Sequence, residues 1–222
     1  LGIKFFEGGF LGVDVFFAIT GYLITKSIFE SGGSIFNFYI KRIKRVLPAL
    51  IILILFCYLF VTLFFHPSHS NHFYNSIYFT STFTSNFYFW LKSQDYFNIA
   101  SYYQPLLHTW SLSLEVQFYL TFPLIFLILK KLNNNQIIFF LIFLIFSSLI
   151  LSILFIGREQ SFYLLPYRFC EFATGSICFF LKKNKNSELN DFISILAFIF
   201  LILVILSFTN VNFPGIKGFI VS

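Results

Sequence analysis

Residues 10–29 read FLGVDVFFAITGYLITKSIF, an apolar run with one acid, Asp14. As an α-helix this run would rise about 30 Å, which is the thickness of the hydrocarbon core of a membrane. Its Gly and Thr residues are tolerated in lipid because a helix pairs its own backbone polar groups. The stretch therefore predicts a transmembrane helix.

The rest of the chain repeats this pattern. It is 58% hydrophobic and 11% charged over 222 residues, whereas a soluble domain carries about 25% charged residues. We predict an all-α fold, a polytopic bundle of transmembrane helices that forms one membrane domain over residues 1–222. A segment at 73–91 is aromatic but rich in Ser, Thr and Asn, so it either spans or re-enters. The six other predicted spans are 10–29, 46–65, 110–129, 136–156, 162–181 and 192–208.

Basic residues cluster beside the apolar runs, near residues 41–45, 130–131 and 182–185. This is the positive-inside pattern of cytoplasmic loops. It accounts for the net charge of +6, so we expect no nucleic acid partner. The three cysteines lie singly within apolar runs, and their spacing predicts no metal site.

Four polar clusters are candidates for chemistry. In the first, Asp14, Ala18, Gly21 and Thr25 share one helical face. A small, polar face beside an acid suits either tight packing around a cavity or a contact between helices that satisfies the acid.

The second cluster contains Arg42 and Arg45, three residues apart and just before Pro48, which we expect in the first turn of the second span. Basic residues at this place are typical of a topology anchor. Paired guanidinium groups also suit phosphate. Both interpretations can hold together.

The third cluster is HTWSLSLEVQFY, residues 108–119. If a helix begins near His108, then His108, Ser111, Glu115 and Tyr119 line one face. A His and a carboxylate at this spacing could serve proton transfer. They could equally form a buried, hydrogen-bonded strut.

The fourth cluster contains Arg168, Glu171 and Gly175. The first two residues can pair at a spacing of three, and Gly175 continues their face. A structural ion pair is the favoured interpretation.

In this order, the four clusters resemble the acyltransferase-3 family of integral-membrane O-acyltransferases. Residues 8–24 are similar to its GGFxGVDxFFxISGFLI signature. The FYxRRxxRxxP, HTWSLSxEEQFY and RxxEFxxG patterns are similar to residues 38–48, 108–119 and 168–175. The family moves an acyl group, commonly acetyl, onto a hydroxyl of a cell-surface carbohydrate such as lipopolysaccharide, peptidoglycan or an exported polysaccharide.

The resemblance implies a bacterial inner-membrane enzyme with three kinds of partner, namely membrane lipid, a glycan acceptor and acyl-CoA. It implies that Arg42 and Arg45 hold the phosphates of the donor, acyl-CoA and commonly acetyl-CoA, with no permanently bound cofactor. We expect the polar clusters to converge on one pocket that handles this thioester. The candidate catalytic residues are Asp14, His108, Ser111, Glu115 and Tyr119.

Two departures from the family pattern bear on activity. Val116 stands where the signature has the second carboxylate of its Glu-Glu pair. The pattern also places an essential His just before a segment like Leu1–Ile3. The chain has no Met and stops at Ser222 in a new apolar run, so we expect the interior of a longer protein, inactive as a fragment.

The competing hypothesis is a membrane transporter or flippase for a small solute or a lipid-linked sugar. Ionisable residues inside spans, here Asp14, Glu115 and Glu171, are common in transport pathways. No inverted repeat is visible in the sequence, which counts against this alternative.

Overall fold

The computed structural model describes residues 11–30, 35–65, 67–92, 104–129, 131–155 and 159–181. All regular secondary structure in these ranges is α-helical, as the sequence predicts. The helices are α1 (Leu11–Glu30), α2 (Ile35–Phe64), α3 (Pro67–Ser81), α4 (Ser85–Leu91), α5 (Thr109–Leu129), α6 (Asn134–Leu154), α7 (Glu159–Tyr163) and α8 (Leu165–Phe180).

Four of the described helices, α1, α2, α5 and α6, are long and apolar enough to cross a membrane. The bounds of α1, α5 and α6 lie within two residues of the predicted spans. Helix α6 begins earlier than predicted because Asn133 caps it. The Asn133 side chain accepts from the Gln136 N–H at 2.9 Å, and the Gln136 side chain accepts from the Asn133 N–H at 3.1 Å, which is a capping box.

Helix α2 corrects the prediction of a span that starts at Val46. It begins at Ile35, so Pro48 lies inside the helix rather than in its first turn. The basic residues 41–45 continue the helix because Lys and Arg are good helix formers. Thirty helical residues rise about 45 Å, which exceeds the hydrocarbon thickness. The basic segment and the apolar segment therefore belong to one continuous helix.

The segment at 73–91 does not form one continuous span. It divides between α3, which already begins at Pro67, and α4, which has seven residues. The turn between them places Phe83 at φ 55°, a conformation that costs a residue other than Gly about 1 kcal/mol or more. The N–H of Thr84 stabilises the turn by donating to the carbonyl of Phe79 at 2.8 Å. Whether the segment re-enters the membrane stays a prediction.

The predicted span at 162–181 is also interrupted. Helix α7 ends at Tyr163, and α8 begins at Leu165 with 16 residues, a rise of about 24 Å. The predicted span at 192–208 lies outside the described residues. The prediction of six spans is therefore not confirmed, and four spanning helices are supported among the residues that the structure describes.

The chain divides into two compact units. The first unit contains α1 up to Lys26, α6, and α8 from Pro166 onward. The second unit contains α2 to α5, the last residues of α1, and Phe162–Leu165.

In the first unit, α1 and α8 approach through two glycines. A methyl group at Gly21 would overlap the carbonyl oxygen of Phe172, and one at Gly175 would overlap the carbonyl oxygen of Ala18. The rings of Phe17 and Phe172 stack beside this contact at 4.5 Å. Small residues let two helices come this close in a membrane protein, where dispersion contacts hold helices together.

Ser148 joins α6 to α8 in the same unit. Its hydroxyl donates to the carbonyl of Pro166 at 2.8 Å and accepts from the N–H of Cys170 at 3.0 Å. Ser148 therefore ties α6 to the first two turns of α8, and Ile145 packs against Cys170 and Ala173 in the same pair of helices.

Candidate functional site

Arg42 lies against two aromatic rings in the second unit. Its guanidinium carbon is 5.4 Å from the centre of the Phe38 ring and 5.1 Å from that of Tyr119. Phe38 and Arg42 are one turn apart on α2, and Tyr119 belongs to α5. Such cation–π contacts contribute about 0.5–2 kcal/mol. They use the face of the guanidinium and leave its N–H donors available at the edge.

Tyr119 also holds a buried carboxylate. Its hydroxyl donates a hydrogen bond to Glu115, one turn earlier on α5. The two residues are 4% and 6% exposed. A buried carboxylate is costly unless it accepts hydrogen bonds, so Tyr119 stabilises Glu115. Because Tyr119 contacts both neighbours, the three residues form one connected set, the Arg42–Tyr119–Glu115 group.

The predicted row of four side chains on α5 is only partly formed. Helix α5 begins at Thr109, so His108 lies in the preceding turn. Ser111 donates to the backbone carbonyl of His108 at 3.0 Å. His108 is exposed, yet the protein around it removes some solvent and lowers its pKa from 6.5. The structure thus brings Glu115 and Tyr119 together and places Ser111 and His108 at the helix start.

A cavity of about 370 Å³ lies beside Arg42. It is lined by residues of α2 and α5 and by Phe83 from the turn between α3 and α4. Arg42 and Tyr119 belong to the lining, whereas Arg45 does not and is exposed. Of the two arginines predicted to bind the donor, Arg42 is therefore the one that faces a cavity.

A buried hydroxyl network, which was not predicted from the sequence, lies on the other face of α5. Thr109 contacts both Thr80 and Ser85 at 3.0 Å, and Ser85 contacts Ser113 at 2.8 Å. All four residues are buried. The spacing of polar residues along α5 could have predicted it. Thr109, Ser113 and Gln117 follow one another at intervals of four residues and so share a helical face.

Gln117 extends this second face through an amide pair. Its side-chain N–H donates to Oδ1 of Asn86 at 2.8 Å and to the carbonyl of Phe83 at 3.3 Å. Asn86 in turn donates to the carbonyl of Tyr163 at 3.2 Å. These bonds hold the short helix α4 against α5. These contacts fix the rotation of α5, which places Tyr119 against Arg42 of α2.

The first unit contains a buried ionic group on α1 and α8. The Nη1 atom of Arg168 donates to Asp14 at 2.8 Å and to Glu171 at 2.7 Å. All three side chains are almost fully buried, and the second oxygen of each acid has no hydrogen-bond partner among the described residues. Asp14 thus takes part in the contact between α1 and α8. This is the second of the two interpretations given for its helical face, the first being a cavity. That Asp14 shares a pocket with Glu115 stays a prediction.

Comparison with known proteins supports the resemblance drawn from the motifs. The sequence matches the acyltransferase-3 family, described as an acyltransferase domain, over residues 2–220. An uncharacterized protein of Haemophilus influenzae is 31% identical to it over 92% of this chain and 91% of that protein. No solved structure matches the chain.

Two further relatives have names that state an activity. The O-acetyltransferase OatA of Staphylococcus aureus is 36% identical over 72% of this chain, and the peptidoglycan O-acetyltransferase OatA of Listeria monocytogenes is 33% identical over 61%. The chain spans 28% and 22% of the lengths of these two proteins. Because the family match extends over nearly all 222 residues, the chain belongs to the acyltransferase-3 family.

Proposed function

We propose that the protein is a membrane-bound O-acyltransferase of the bacterial inner membrane. It moves an acyl group, acetyl in the first instance, from acyl-CoA to a hydroxyl of a cell-envelope glycan. The Arg42–Tyr119–Glu115 group carries the proposal, because Arg42 and Tyr119 line a cavity and the Tyr119 hydroxyl binds the buried carboxylate of Glu115. One relative is named for peptidoglycan, so peptidoglycan is preferred over lipopolysaccharide as the acceptor.

Donor binding is assigned to Arg42 and Arg45. They lie one turn apart in the basic segment of α2, which extends the helix beyond its apolar part. The N–H donors of a guanidinium match phosphate oxygens in pairs. Arg42 is held by its aromatic contacts, so less conformational entropy is lost when it binds an anion.

Transfer requires the acceptor hydroxyl to lose its proton as its oxygen attacks the thioester carbonyl. The C–O bond forms, the C–S bond breaks, and the proton ends on the coenzyme A thiol. On its way to the thiol the proton passes to a base, which becomes cationic when it accepts the proton. A nearby negative charge stabilises that cation, and Glu115 supplies the charge. Ser111 and His108, at the start of the same helix, are assigned to the acceptor side.

The function is tested with membranes from cells that express the complete gene product, as are all the activity measurements below. Acetyl-CoA labelled in its acetyl group is supplied with peptidoglycan, and we expect the label to become ester-linked to the glycan. Uptake of a solute or lipid-linked sugar without covalent attachment would favour a transporter or flippase. Attachment of the label by residues 1–222 alone, lost in Glu115→Ala, would contradict the expectation that the fragment is inactive.

Glu115→Gln is expected to lower acetyl transfer about 100-fold, the lower range for loss of a group that assists proton transfer. The amide can still accept the Tyr119 hydrogen bond, so folding should be preserved while the charge is lost. The measurement is the initial rate at saturating acetyl-CoA. Glu159→Gln, the same change at the start of α7, is the control, and equal rates in the two variants would refute the role of Glu115.

Arg42→Gln is expected to raise the KM for acetyl-CoA about tenfold or more, as for loss of a hydrogen bond to a charged group. The effect should exceed that of Arg45→Gln, because Arg42 faces the cavity and Arg45 is exposed. Lys44→Gln removes an exposed charge from the same segment and serves as the control. A KM that rises equally in all three variants would indicate a general electrostatic effect.

A further inference from the structure

The cavity beside Arg42 has apolar walls. Val46 and Leu47 line it from α2, and Val116 and Leu120 line it from α5. Among its described lining residues, only Arg42 is charged. Its volume of about 370 Å³ lies within the range of roughly 300–1,000 Å³ that is typical of small-molecule sites.

The two phenol groups at this cavity are already engaged. The hydroxyl of Tyr39 donates to the carbonyl of Leu120 at 3.3 Å, and that of Tyr119 donates to Glu115. Neither hydroxyl is therefore free to donate to a ligand. What the cavity offers is apolar contact beside one cation.

That cation retains its capacity for an anion. In the described part of the chain, the contacts of Arg42 are with the rings of Phe38 and Tyr119, and no carboxylate pairs with it. A ring contact leaves the edge donors of a guanidinium open. A ligand that suits this place has an anionic group followed directly by a compact apolar group.

We propose that the cavity holds the first part of the pantetheine arm of the donor, with the adjoining phosphate on Arg42. The inference rests on the proposed acyl-CoA donor and assigns it a place. The arm begins with a methylene group bonded to the diphosphate of coenzyme A, and the next carbon carries two methyl groups. This order of chemical groups matches an arginine beside an apolar wall.

Val116 is then a positioning residue for the donor. It is the apolar side chain of α5 that directly follows Glu115 and lines the cavity. A larger side chain at this position would occupy the space of the arm, and a smaller one would remove apolar contact. Neither change alters Arg42 or the Tyr119–Glu115 hydrogen bond.

The test measures acetyl transfer in membranes that contain the protein, with acetyl-CoA as the donor and pantetheine, which lacks the phosphates, as a competing inhibitor. Val116→Phe is expected to raise both the KM for acetyl-CoA and the Ki for pantetheine about tenfold, the size of small misfits in apolar pockets. Val116→Ala introduces no clash, and it is expected to raise the KM and the Ki about threefold because apolar contact is lost. Arg42→Gln should raise the KM and leave the Ki unchanged.

Leu124→Phe adds the same ring at an exposed position of α5 and is the control. The inference is overturned if the Val116 variants match this control, if pantetheine does not inhibit, or if the Ki does not change in Val116→Phe. It is also overturned if the effect of Val116→Phe follows the phospholipid content of the membrane, which would indicate a lipid chain in the cavity. In each of these cases acetyl transfer itself persists, whereas its absence in the unaltered protein would refute the proposed function.

Discussion

Gly21→Ala is expected to disrupt the contact between α1 and α8 and to destabilise the first unit strongly. The added methyl group would overlap the carbonyl oxygen of Phe172, which is backbone and cannot rotate away. The two helices must then separate, and the stacked rings of Phe17 and Phe172 must part. Overpacking commonly costs about 1–3 kcal/mol, and a clash with backbone belongs at or above the upper end of that range.

The chain offers a matched control for this change. Gly12 lies on the same helix and is exposed, and beyond its own helical backbone no atom of the described residues lies within 4 Å of the position of its Cβ. Gly12→Ala should therefore be neutral or stabilise the helix by up to about 1 kcal/mol. The measurement is the thermal stability of detergent-solubilised protein. Equal loss in both variants would show that the effect comes from helix propensity or insertion, not from close packing.

Gly175→Ala tests the same contact from the other helix. Its methyl group would overlap the carbonyl oxygen of Ala18, so the loss of stability should resemble that of Gly21→Ala. Combining the two changes should cost less than their sum, because helices that have already separated no longer clash. Full additivity would mean that the two glycines act independently.

The sequence predicted the helices whose apolar runs match membrane thickness, since length and composition are sufficient for them. The prediction failed where a helix continues past the apolar run, as α2 does through residues 41–45. The basic residues there were assigned to a loop, although Lys and Arg favour helix. It also failed at Phe83. Nothing in an aromatic, Ser- and Thr-rich run indicates a residue with positive φ.

For the site, spacing along one helix correctly grouped Glu115 with Tyr119. Spacing cannot show which helix lies opposite, so it missed that Arg42 stacks on Tyr119 and that Asp14 contacts Arg168, 154 positions away. Partners of that kind depend on how helices pack. Helical periodicity of a single sequence does not contain that information.

Arg168→Leu is expected to cost about 3–5 kcal/mol, the usual penalty for removing one partner from a buried ion pair. It would leave Asp14 and Glu171 buried without the cation that both contact. Glu171→Gln should cost far less, within about 1 kcal/mol, because the amide oxygen can still accept from Arg168. The measurement is again thermal stability in detergent.

The cause of that loss can be separated from simple loss of packing. Two carboxylates face one guanidinium, and in the described part of the chain each has a buried oxygen without a partner. Removing negative charge should therefore stabilise the Arg168→Leu variant. Asp14→Asn combined with Glu171→Gln is expected to recover more than half of the stability lost in Arg168→Leu. If these changes recover nothing, the penalty reflects the missing side-chain volume. If they recover it, the guanidinium stabilises the α1–α8 contact by compensating the charge of two buried acids. These acids are buried at a contact where Ala18, Gly21 and Gly175 let the two helices pack closely.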